Sequence, residues 1–184
     1  MDPNRNTSYC CLHEDSFKAY NEYHSVIKEK FRKDFLQHGS KKYKQALLID
    51  IHGQSHPENR IELGYAISTP NLNENYLNKS LKTSLESLYK SLNGKIDLEN
   101  LIRGDLSFGS LLNKNGIKAI PSPDDPKPND SNYYNGGHIT EFHSGLDDSE
   151  SIINCIQSEL PKSMRNETNS MINYAKLFAK AVME

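Results

Sequence analysis

Phe17, Tyr20, His24, Ile27 and Phe31 recur at spacings of three and four. That stripe predicts an amphipathic helix over 15–37, with Asp15 as its N-cap and His38-Gly39 as its stop. A lysine-rich link at 41–44 leads into Ala46-Leu47-Leu48-Ile49-Asp50-Ile51. This run is short and apolar on both faces, so it predicts a central strand covered on both sides. Residues 61–67 predict a second strand, ended by Thr69-Pro70. Leu81, Leu85 and Leu88 on one side predict a helix over 76–92, stopped by Asn93-Gly94. A helical turn is expected at 98–101, a short strand at 117–120, an extended segment at 138–143 and an apolar strand at 152–160. The last helix is expected over 164–183, with Met171, Tyr174, Phe178 and Val182 on its inner face. Between them, PSPDDPKPNDSNYYNG at 121–136 holds four prolines and reads as a long loop able to wall a site. Helices alternating with short apolar strands indicate an α/β layered fold in one domain spanning 1–184.

Composition narrows the function classes. The formal net charge is −2 over 184 residues, so the basic footprint of a nucleic-acid-binding protein is missing. No apolar stretch approaches the roughly 20 residues of a membrane helix. The N-terminus has no apolar signal core. Neither nucleic acid nor membrane is an expected partner. The three cysteines, Cys10, Cys11 and Cys155, form no disulfide framework, which suits a reducing, cytoplasmic setting.

Candidate chemistry gathers where apolar runs stop. In open α/β sheets, sites form beyond the carboxyl ends of the strands. Asp50 and His52 lie at such an end, and alternation puts their side chains on one face. A histidine there can offer one ring nitrogen to a metal while the other donates to a carboxylate. The same spacing also serves a capped strand end with a hydrogen-bonded histidine. His56, in Ser-His-Pro, reads as a loop residue or substrate contact. Glu159 ends the 152–160 run, where a carboxylate can act as general base, or, more plainly, cap the helix after Pro161. Asn4-Arg5 is a possible clamp for a substrate carboxylate through paired guanidinium bonds, or a solvated terminal arginine. Gly136-Gly137 permits close backbone approach to a ligand, or makes an ordinary turn. His13, His24 and His38 read as surface or helix-stripe residues. No P-loop, Gly-x-Gly-x-x-Gly, His-Glu-x-x-His or Cys-x-x-Cys occurs.

The order of these pieces is more specific than any one of them. Asp2-Pro3-Asn4-Arg5 comes first, then Tyr23-His24 and Leu48-Ile49-Asp50-Ile51-His52-Gly53. Arg103-Gly104-Asp105 through Gly109 follows, then Gly136-Gly137-His138-Ile139-Thr140, and Gln157-Ser158-Glu159 leading to Arg165. Over nearly the whole chain this series resembles the N-formylglutamate amidohydrolase family, relatives of the zinc carboxypeptidases and aspartoacylases. The resemblance implies a three-layer αβα, phosphorylase/hydrolase-like fold with a mostly parallel or mixed central sheet. It implies zinc-dependent hydrolysis of an amide bond in a small N-acyl amino acid or related carboxylate. His52 would be a zinc ligand, Glu159 the general base, Asn4 and Arg5 the holders of the substrate carboxylate, and Gly136 and Gly137 the pocket wall. The first two zinc ligands of that family, a histidine and a glutamate ahead of the Asp-x-Asn-Arg segment, have no counterpart in this sequence. The expectation is therefore a domain lacking its N-terminal metal-binding segment and first strand, with an unpaired sheet edge open to self-association. The alternative is a non-catalytic carboxylate-binding domain.

Overall fold

The structure is a computed structural model and describes residues 3–38, 45–144, 146 and 151–184. Gly39 and the lysine link at 41–44 lie outside the described residues. Helix α1 (Thr7–Cys10) is followed by the long α2 (Glu14–His38), as the apolar stripe predicts. Its start differs by one residue, so Asp15 sits in the first turn beside Glu14 rather than at the cap. Of the stripe, Tyr20 and His24 are buried, whereas Phe17 is exposed.

A mixed sheet of four strands organises the rest, in the order β1 (Ala46–Gln54), β4 (Ile153–Pro161), β2 (Ile61–Gly64), β3 (Ala119–Ile120). Strand β4 pairs parallel with β1 and antiparallel with β2, and β2 pairs parallel with β3. This is an α/β fold. The central strand is β4, whose residues 154–159 are all buried. Strand β1, expected at the centre, is instead an edge strand among the described residues, with Leu47 and Ile51 exposed. An unbroken apolar run does not distinguish the two positions, because exposure depends on which elements pack alongside.

Several other elements depart from expectation. Only Glu86–Ser91 (α4) of the 76–92 segment is helical. Thr83 and Ser84 are drawn onto the sheet: the Thr83 hydroxyl and the Ser84 N–H donate to the Tyr65 carbonyl at 3.0 and 2.9 Å, and Cys155 N–H donates back to the Ser84 carbonyl at 3.0 Å. Those hydrogen bonds outcompete helix periodicity, as tertiary contacts often do. Segment 138–143 is helical, not extended (α7, His138–His143). Its start is held by the Asn4 carboxamide, whose Oδ1 accepts the Ile139 N–H at 3.0 Å, a capping bond from a residue distant in sequence. The second strand stops at Gly64, and Thr69–Asn73 (α3) follows, with Pro70 in its first turn.

Short helices α5 (Leu98–Ile102) and α6 (Phe108–Lys114) each carry a side-chain cap, Asp97 and Ser107. The last helix, α8 (Thr168–Met183), ends where expected but starts at 168 rather than 164, since Lys162–Met164 is a 3-10 turn; Met171 and Val182 are half exposed and Ala181 is its buried residue. Ile61, Leu63, Tyr65, Leu72, Leu98, Ile102, Leu112 and Ile156 form the core, all nearly inaccessible. No helix among the described residues is long and apolar enough to cross a membrane.

Candidate functional site

Strands β1 and β4 run parallel, so their carboxyl ends coincide. His52 and Glu159 occupy the same register position, as do Asp50 and Gln157. All four side chains therefore face one side of the sheet. His52 Nε2 lies 3.0 Å from Asp50 Oδ2, and its Nδ1 lies 3.7 Å from Glu159 Oε1. The imidazole keeps 28% of its surface accessible, enough for a ligand to reach it.

Glu159 is 5% exposed. Gln157 Nε2 donates to its Oε1 at 2.8 Å. Burial raises the Glu159 pKa; His52 opposes the rise, and the neighbouring carboxylates Glu62 and Asp50 add to it. A carboxyl moved toward neutrality in this way is suited to taking and returning protons. It does not cap the following 3-10 turn, which begins after Pro161 without a side-chain cap.

Asn4 is the hub of the site. Its Nδ2 lies 3.4 Å from His52 Nε2 while its Oδ1 holds the start of α7. Gly137 sits against it: a Cβ at that position would stand 2.6 Å from the Asn4 carboxamide and 2.6 Å from Gln157 Oε1. Gly136 adopts φ +123°, in the region that favours glycine. Arg5 is exposed beside Asn4. The structure thus brings Asn4, His52, Gly137 and Glu159 together, with Gly136 and Arg5 adjacent in the chain.

Two residues that spacing alone did not single out, Glu62 and Tyr134, join the site together with His56. Glu62 on β2 is the cross-strand partner of Glu159 and is fully buried. Its Oε1 faces His56 Nδ1 at 2.7 Å, and its Oε2 accepts the Tyr134 N–H at 2.9 Å. A carboxylate only accepts, so neutral His56 carries its proton on Nδ1 and leaves Nε2 as a lone-pair acceptor. The ring stacks on Tyr134, centroids 4.9 Å apart. The signal was present in Ile61-Glu62-Leu63, a charge inside an apolar run.

His24, read as a stripe residue, is buried. Its Nδ1 lies 2.8 Å from His143 Nε2, and its Nε2 lies 3.2 Å from the Pro3 carbonyl.

Catalytic zinc normally takes three protein ligands. Among the described residues, no three His, Cys, Asp or Glu side chains converge on a point that would hold a metal. Both nitrogens of His52 already face protein groups. The described residues do not fit a tightly held zinc ion. One buried acceptor of the site, Gln157 Oε1, has no hydrogen-bond partner, whereas Asp50 Oδ2 already faces His52. Such an oxygen suits a ligand that brings an N–H donor. No protein-family model matches the chain, and neither a curated protein nor a solved structure matches it.

Proposed function

We propose that the carboxyl ends of β1 and β4 form a binding site for a small N-acyl amino acid or related carboxylate, on a domain of amidohydrolase type. The observation that carries this reading is the pairing of His52 with the buried Glu159 at one register position, 3.7 Å apart. Arg5 suits the ligand carboxylate, and the unpartnered Oε1 of Gln157 suits its amide N–H. Gly136 and Gly137 let the ligand approach the wall closely. The architecture that belongs with this reading is the three-layer αβα arrangement of the hydrolase-like folds. Because the described residues do not gather a zinc site, binding without metal is the primary reading.

Hydrolysis of the ligand's amide bond at the same place is a second reading. It is favoured by one feature, the raised pKa of the Glu159 carboxyl beside an imidazole. Zinc-dependent amide hydrolysis is the form that the family resemblance implies.

Titration calorimetry with N-formyl-L-glutamate and N-acetyl-L-glutamate, in chelator-treated protein, tests the first reading. Saturable binding that His52→Ala and Gly137→Ala weaken is expected. No binding with or without added zinc would overturn it. Zinc retained at one ion per chain through chelator treatment would overturn the metal-free form in favour of hydrolysis. Amine release that Glu159→Gln abolishes would then assign the base.

A further inference from the structure

The other face of the same strands carries a separate feature. Ile51, Leu160 and Ile61 are the chain neighbours of His52, Glu159 and Glu62, so they point to the opposite side of the sheet. Together with Met171, Tyr174 and Phe178 of α8 they line a cavity of about 300 Å³. That is about twice the ~150 Å³ apolar cavity that accepts one benzene ring, hence room for a fused aromatic pair or a chain of roughly ten carbons. Its lining is apolar but for Arg165, its one charged group, and the Tyr174 phenol.

The Arg165 guanidinium is held in place by backbone. Its Nε donates to the Leu160 carbonyl at 3.1 Å, and an Nη donates to the Gln54 carbonyl at 2.8 Å. Gly53 makes this possible, since a Cβ there would lie 2.5 Å from the guanidinium carbon. Two carbonyls take two of its five N–H groups without neutralising its charge, and no described carboxylate lies within ion-pair distance of it. A cation already held at the rim of an apolar cavity loses little conformational freedom when an anion arrives.

We propose that this cavity binds an amphipathic carboxylate, with its apolar tail between the sheet and α8 and its carboxylate on Arg165. Charge selects an anion, the planar fork selects a carboxylate geometry, and the volume selects a medium-length chain or a bicyclic aryl group. The site is independent of the one around His52, which lies through the sheet.

Decanoate, kept below its micellar concentration, is the probe, with decanol as its neutral counterpart. Calorimetry is expected to give one decanoate per chain. Arg165→Met should weaken decanoate about ten-fold or more and leave decanol unchanged, as for loss of a charged hydrogen bond. Ala175→Phe should fill the cavity and abolish both. In the unsubstituted chain, nuclear Overhauser contacts from decanoate methylenes should reach the Phe178 ring and the Met171 methyl, a measurement that needs no variant to fold. Decanol binding as tightly as decanoate, several decanoates per chain, or tail contacts away from Phe178 would each overturn the proposal. So would a concentration-dependent dimer, lost in Ile51→Asp, that leaves decanoate without a place to bind.

Discussion

Acid should destabilise this fold through one buried histidine pair, His24 and His143. Pro3 offers only a carbonyl, so neutral His24 carries its proton on Nε2 and presents a bare Nδ1 to His143. His143 then donates from Nε2 and keeps an unprotonated Nδ1, which is buried and has no partner. Protonating His143 puts a proton where nothing accepts it. Burial first, and then the charges of His24, Lys28 and His138, lower its pKa to about 4, with Asp50 opposing. An unfolded histidine titrates near ~6.5.

The folded value lies below the unfolded one. The stability from neutral His143 is therefore fully present above about pH 6.5 and lost as pH falls toward 4. The gap corresponds to about 3 kcal/mol in full, and about 2 kcal/mol of it is gone by pH 5. His143 is 3% exposed, so solvent screening does not shrink the effect much. His24 and His138 are also shifted down by burial and add in the same direction. Against a total stability of about 5–15 kcal/mol, this is a large fraction. Urea unfolding followed by circular dichroism at pH 7 and pH 5 measures it. His143→Gln costs stability at pH 7 but should lose about 2 kcal/mol less than the parent between the two pH values. Equal losses in parent and variant would refute the proton placement.

Arg103 is 2% exposed and bonds Glu99, the Leu72 and Glu74 carbonyls and Pro126. Arg103→Leu leaves Glu99 and those carbonyls unmatched and should cost about 3–5 kcal/mol by urea unfolding; Arg103→Lys should recover little of it. Gly137→Ala forces its Cβ against Asn4 and Gln157. It should weaken N-acyl amino acid binding at least ten-fold in calorimetry while costing roughly 1–3 kcal/mol of stability. Cys155 is fully buried, and burial pushes its thiol up to about 12. It should stay unlabelled by a thiol reagent at pH 8 until urea unfolds the chain, whereas Cys11, which is only partly buried, reacts first.

Patterns that depend on local periodicity were legible in the sequence. Helix α2, helix α8 and strand β4 fall where apolar spacing puts them, because each must bury one stripe or one run wherever it packs. Strand termination also placed Asp50, His52 and Glu159 at strand ends. That two of these ends lie side by side was not local information. It follows from β1 and β4 pairing in parallel at one register across more than a hundred residues of chain.

Tertiary structure alone decided the rest. It made β1 an edge, gave α7 its start through Asn4, and pulled Thr83 and Ser84 out of a helix onto the sheet. It also buried Glu62 beneath His56 and turned His24 from a stripe residue into half of a proton-sharing pair. Each of these depends on which distant group satisfies a buried donor or acceptor. Such a partner is set by the packing of remote segments, which neighbouring residues in the chain do not encode.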